Sequence, residues 1–229
     1  MYFYQIGLRL GLPRLESVAR AFGLGERTGA DLPQERRGLI PGEAWYEARW
    51  GRGHGRKGVL LNLAIGQGEL LLTPLQLALM GAEVASNGRP LRPHVVLQVR
   101  GVEGQHLERP VQPGVTAYAA SWEALQRGLE LVVAEGTGTA ARVTGVRVAG
   151  KTGTAQNPHG EDHALFVCYA PADQPQIALA FVIENRGHGG SVAAPLAGAV
   201  LRRLFAPDST RGPVAAPPPP DTTEVLRGD

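Results

Sequence analysis

The string "GKTGT", residues 150–154, sets one lysine among two glycines and two threonines. A lysine so placed serves one of two chemistries. Its ammonium can hold a nucleotide phosphate at a glycine-rich loop, or it can raise the positive potential of an acyl-transfer site, hold a substrate carboxylate and assist proton movement. Lys57 and Lys151 are the chain's two lysines. Any role that needs an ammonium of tunable pKa, which arginine cannot supply, falls to one of them. Lys57 lies in "WGRGHGRKG", which reads as a solvated glycine-rich loop. Lys151 is the candidate.

Residues 145–152, "GVRVAGKT", fit the phosphate-loop pattern G-x-x-x-x-G-K-[ST] letter for letter. Such a loop needs an apolar strand ending at its first glycine and a helix starting at the lysine, with the helix N-terminus facing the anion. Before Gly145 stands "EGTGTAARVT", which is no buried strand, and Val146, Arg147, Val148 and Ala149 alternate as strand residues do. After the lysine, Gly153, Pro158 and Gly160 stand where a helix would have to run. Phosphate binding stays as a rival whose mark would be magnesium-dependent ATP binding lost in Lys151→Ala. The other reading makes the segment a strand, with Lys151 projecting to one face, Thr152 and Thr154 flanking it, and edge N–H groups available to a tetrahedral oxyanion. Gly153 would let a substrate backbone come close.

The elements that position these residues follow from periodicity. Residues 2–11 and 14–23 read as two short amphipathic helices parted by Gly11 and Pro13, the second with Leu15, Val18, Ala19 and Phe22 on one face. Residues 24–58 read as a long surface excursion with a turn or two of helix at "PGEAWYEARW". Thr73, Pro74 and Gln76 spell a capping box ahead of "LQLALMGAEVA", a helix stopped by Asn87-Gly88. A strand is expected over 91–100, a helix over 117–135, strands over 146–156, 163–170 and 176–185, and a closing helix over 191–205. Short links between the last three strands favour antiparallel pairing, since parallel pairing would need long crossovers. From Ala206 the chain is rich in proline and polar residues and reads as a disordered tail, 206–229.

Composition narrows the function. With 229 residues, 43% of them hydrophobic, and a net charge of +2, the chain is an ordinary globular sequence whose scattered arginines give no case for nucleic acid. The one cysteine, Cys168, sits in an apolar run and excludes an internal disulfide. The histidines are too dispersed in sequence to argue for a metal site, and no cofactor is implied. No run approaches the length of a membrane span, and the first residues lack the pattern of an export signal.

"GKTGTAQ", followed by "HALFVCYAPADQPQIALAFVIENRGHGG" and a closing helix, resembles the transpeptidase domain of class B penicillin-binding proteins, most closely those of the penicillin-binding protein 2 type. "NLAIGQGELLLTPLQLALMGAEVASNG" and "EGTGTA" match the same family in the same order, so the resemblance covers about residues 1–205. It implies an α/β fold of α+β type, a mainly antiparallel sheet flanked by helices as in serine β-lactamases and penicillin-binding transpeptidases. It also implies the third motif of such enzymes, K-T-G, in Lys151, Thr152 and Gly153. Thr154 would then supply an oxyanion N–H, and the hydroxyls of Thr152 and Thr154 would hold the carboxylate of a peptide or a β-lactam. His163, opening the next strand, is as suited to a structural hydrogen bond as to a substrate contact. Glu184 and His188 read as a turn and its support, with a site role as the alternative, and His54 as solvated.

The first two motifs of that family, S-x-x-K and S-x-N, are not in this chain. Ser17, Ser86, Ser121, Ser191 and Ser209 each lack a lysine three positions on and an asparagine two positions on. "MYFYQIG" looks like the segment that follows S-x-N, so the expectation is an N-terminally truncated catalytic domain whose serine lies upstream. The fragment alone should be inactive, should expose apolar surface and should be prone to aggregate. The parent would cross-link D-Ala-D-Ala stem peptides on the outer face of the cytoplasmic membrane, react with β-lactams and work with a SEDS-family glycosyltransferase. Two further rivals are a non-catalytic peptide- or partner-binding module of this fold and a serine β-lactamase.

Overall fold

A computed structural model describes residues 2–52, 56–91, 93–96 and 114–206. Its elements in order are α1 (Tyr2–Ala21), α2 (Glu43–Trp50), α3 (Arg56–Leu63), α4 (Pro74–Ala85), α5 (Ala119–Ala134), β1 (Ala149–Ala155), β2 (His163–Ala170), β3 (Ile177–Ile183) and α6 (Ala193–Leu204). The strands form one antiparallel sheet in the order β1-β2-β3. Alternating apolar residues and short links dictate that arrangement, because parallel neighbours would need long crossovers.

The register explains the layers. Ala149, Lys151 and Gly153 stand opposite Tyr169, Val167 and Leu165, whereas Gly150, Thr152 and Thr154 stand opposite Cys168, Phe166 and Ala164. Directly opposed residues share a face, so the two sets line opposite sides of the sheet. The Thr152 side carries the tighter core. There Ala164, Phe166 and Ala170 meet Ala193, Ala194, Ala197 and Leu201 of α6, all with 0% exposure. On the Lys151 side, Tyr169 and Ala149 pack with Val84 of α4 and Trp122 of α5. Helix α5 serves both cores, giving Val133 to the first and Trp122 to the second.

The capping box forms as its spelling predicts. Thr73 Oγ1 accepts from Gln76 N at 3.2 Å, and Gln76 Oε1 accepts from Thr73 N at 2.9 Å. The buried Gln76 amide also donates to the carbonyls of Glu26 and Arg37, which pins the long excursion to α4. At the other end, Asn87 and Gly88 take positive φ angles of 58° and 75° and turn the chain out of the helix.

Several expectations shift. The two N-terminal helices are not among these: they form within α1 as expected, parted at Gly11, whose φ of 74° and ψ of 164° are not helical. Val18, expected on the buried face, is exposed, because the helix docks through Gly7 and Phe22 instead. Lys57 lies on α3 rather than in a loop. Gly58 weakens the local helix signal there, and packing of Gly7 against Leu60 and Ala64 supplies what the sequence does not. Most of the strand expected over 91–100 lies outside the described residues. Residues 93–96 form no strand, and the N–H groups of Val95 and Val96 donate to the Asp31 carboxylate. The tail from 207 onward and His54 also lie outside the described residues.

Candidate active site

Strand β1 carries the lysine motif along one edge of the sheet, and among the described residues no strand pairs with its outer side. The lysine is a strand residue with no helix after it, so the geometry of a phosphate loop is absent. Lys151 is exposed, and its Nζ curls back to donate to the carbonyl of Thr152. The ammonium therefore lies along the strand's outer edge. No serine hydroxyl among the described residues meets it. Ser86 Oγ donates to the carbonyls of Ala82 and Glu83 at the end of α4, and Ser191 Oγ donates to the His188 carbonyl.

The two threonines of the motif share the other face. Thr152 Oγ1 lies 2.7 Å from Thr137 Oγ1, in the turn that ends α5, and Thr154 Oγ1 lies 3.3 Å from His188 Nδ1. The loop after β3 closes over them. A Cβ on Gly189 would stand 2.1 Å from the Leu165 carbonyl oxygen and 2.9 Å from Gly153 N. Only glycine lets this loop lie against the strand and bring His188 to Thr154.

The outer edge of β1 is held at one point. Gln67, in the link between α3 and α4, donates from Nε2 to the Thr154 carbonyl at 2.7 Å and accepts at Oε1 from Gln156 N at 3.3 Å. In a strand the N–H and C=O of one residue point to the same edge and alternate residue by residue. Because the Thr154 carbonyl is met from outside, its N–H faces outward too, as do the main-chain groups of Thr152. An N–H on an open edge, beside a lysine ammonium, suits an oxyanion.

His163 and the loop after β3 form a second polar cluster. His163 Nδ1 accepts from Asn185 N at 3.0 Å, and the Asp162 carbonyl accepts from the N–H groups of Arg186 and Gly187. Asn157 Nδ2 donates to Asn185 Oδ1 at 2.6 Å. These bonds tie the β1–β2 hairpin to the loop that delivers His188 and Gly189. His163 thus takes the structural bond that its sequence position allows, Glu184 sits exposed in the turn, and His188 meets a motif threonine. Thr137 and Gln67 did not emerge as site residues from the sequence. Their signals, "EGTGTA" and "IGQG", are glycine-flanked polar residues whose target strand is remote in the chain.

Burial sets the unusual acidities nearby. Desolvation pushes the Cys168 thiol up to about 12, so it stays protonated and packs as a small apolar side chain. Glu83, fully buried on α4 with neither carboxylate oxygen hydrogen-bonded among the described residues, is pushed up to about 7 by the same cause.

Comparison with known proteins places this geometry. The model of the penicillin binding protein transpeptidase domain matches residues 1–202. Peptidoglycan D,D-transpeptidase MrdA of Haemophilus influenzae is 37% identical over 220 residues, a match covering 87% of this chain and 34% of the relative. The solved structure of Pseudomonas aeruginosa PBP2 in complex with WCK 5153 superposes with a TM-score of 0.81 at 36% identity, covering 90% of this chain and 47% of that one. A protein of a peptidoglycan synthase complex that coordinates polymerization and crosslinking superposes at 0.74 with 33% identity, covering 94% and 37%. The chain spans about a third of the length of the curated relatives it matches.

Proposed function

The chain belongs to the penicillin-binding protein transpeptidase domain family, and from that premise we propose that it carries the K-T-G strand of a peptidoglycan D,D-transpeptidase site. The observation that carries this reading is the outer edge of β1, where the Lys151 ammonium reaches the Thr152 carbonyl and the Thr154 N–H faces outward three residues on, with the hydroxyls of Thr152 and Thr154 on the strand's other face. A stem peptide ending in D-Ala-D-Ala brings a terminal carboxylate and, one residue back, the carbonyl to be attacked. The two threonine hydroxyls hold the carboxylate, with the ammonium supplying positive potential. The Thr154 N–H takes the carbonyl oxygen as it becomes an oxyanion.

The nucleophile belongs to an S-x-x-K segment outside this chain. Its serine oxygen bonds to the carbonyl carbon while its proton passes to the base. The C–N bond then breaks, D-alanine leaves as an amine after gaining a proton, and the amine of a neighbouring stem attacks the ester to form the cross-link. A β-lactam would acylate the same serine through its strained amide. The SEDS-family glycosyltransferase as partner, and the outer face of the cytoplasmic membrane as location, follow from the family resemblance; the neighbour solved in a peptidoglycan synthase complex supports partner binding in general. Among the described residues no helix is long and apolar enough to cross a membrane.

The test is covalent labelling by a tagged penicillin of the polypeptide that contains both this chain and the S-x-x-K serine. Lys151→Ala should slow labelling by roughly 100-fold or more, the scale of losing a charge-stabilising group; labelling at the wild-type rate would defeat the assignment. A second reading applies to the chain by itself, because none of its five serines stands in S-x-x-K. Alone it binds peptide without turnover, and a mass increase on incubation with penicillin would refute that.

A further inference from the structure

We propose that Gln67 is a positioning residue for the Thr154 N–H, its carboxamide standing in for a neighbouring strand on the outer edge of β1. The inference rests on the transpeptidase reading above and names a residue that this reading did not require. An edge strand without a partner leaves its main-chain groups to solvent and is free to fray. An oxyanion donor tolerates little such motion, because its contribution depends on being fixed before charge develops.

A carboxamide offers the same donor and acceptor as a peptide group. Gln67 uses both, on the carbonyl of Thr154 and the N–H of Gln156, the two groups that one residue of a parallel partner strand would engage. Its bonds begin at the residue that bears the proposed donor, and they leave that donor open to a ligand.

The side chain is delivered by a prepared loop. Gln67 N donates to the Asn62 carbonyl at 3.0 Å, and Gly66 N to the Leu63 carbonyl at 3.0 Å, so the loop is anchored to the end of α3. Gly66 and Gly68 flank it at φ 76° and 84°. At Gly66 a Cβ would meet open space, so what favours glycine there is the backbone angle rather than crowding. The segment I-G-Q-G is thus shaped to aim one amide at a strand 87 residues further along.

The experiment uses the 229-residue chain as wild type, Gln67→Ala and Gln67→Asn, the last keeping the carboxamide but shortening its reach by one methylene. Residue-resolved amide hydrogen exchange is read first. Both variants should speed exchange at Gln156 by about tenfold, the worth of one hydrogen bond, while the α6 amides of Ala197 and Leu201 stay protected and report an intact fold. Titration with N-acetyl-D-alanyl-D-alanine follows, reading the Thr154 amide resonance. The dipeptide should shift it in the wild type and bind about tenfold more weakly to both variants. Unchanged exchange at Gln156 would overturn the clamp. Faster exchange with unaltered dipeptide affinity would reduce Gln67 to a tether for its loop and overturn the positioning role. A protected Gln156 in a wild type whose Thr154 ignores the dipeptide would overturn the positioning role while leaving the clamp geometry standing, and the penicillin labelling of Lys151→Ala described above decides the transpeptidase reading separately.

Discussion

The sheet with α6 and the bundle of α1 to α3 are built to different standards of closure. In the first, Phe166, Ala164, Ala197 and Leu201 have no exposed surface. In the second, Tyr2, Phe3 and Val18 are more than half exposed, and Leu71, in the link leading to α4, is 61% exposed. The sheet half closes a core of its own and leaves the outer side of α6, at Leu196, Val200 and Leu204, partly exposed, whereas the helical half presents more exposed apolar surface, of the kind that another protein surface usually covers. Strand β1 lies between them, with its threonines backed by the closed core and its outer edge turned to the link between α3 and α4, from which Gln67 reaches it. A rigid back and an accessible front are what a site needs when it must hold donors still yet admit a peptide.

The sharpest way to break this comparison is Phe166→Ala, which empties the closed core and should cost about 3–5 kcal/mol by denaturant unfolding. A loss below about 1 kcal/mol would mean that the core is looser than its burial implies. Next comes Glu83, a buried carboxyl on α4, the helix that packs against β2 and β3. Its pKa is raised in the fold, from 4.5 to about 7, so the unfolded chain releases the proton first as pH rises. Stability is then full below the ordinary carboxyl range, falls between that range and about pH 7, and levels off above it. The loss across that window is about 3 kcal/mol. Glu83→Gln should flatten the profile; an equally steep profile in that variant would assign the slope to other groups.

A smaller effect belongs to the helix start. Thr73→Ala removes one arm of the capping box and should lower stability by about 1 kcal/mol, read as a shift in urea midpoint at constant slope. Smallest is Phe3→Ser on the open bundle, expected within about 0.5 kcal/mol of wild type while reducing self-association in sedimentation. A destabilisation comparable to that of Phe166→Ala would show that α1 contributes to a shared core and erase the contrast.

Local chemistry made much of this legible in one dimension. Thr73-Pro74 and Gln76 can form their cap wherever the helix sits, because the bonds join residues three apart. The strand nature of Lys151 follows from alternation before it and helix breakers after it, and antiparallel pairing follows from short links. Helix α3 was illegible because Gly58 weakens its local preference and its support comes from α1. His188 was ambiguous for a similar reason: its partner Thr154 is 34 residues away, and only the close lie of Gly189 on Gly153 brings them together.

The sequence by itself therefore determined the motif, its strand and the capping box that starts α4, since these depend on backbone angles and neighbours within a few residues. Only the tertiary structure decided which edge of β1 stays open, which hydroxyls face each other across it, and that the amide of Gln67 caps that edge just past Thr154. Those facts are distances between segments whose separation in sequence carries no directional information, and packing of the two halves sets them.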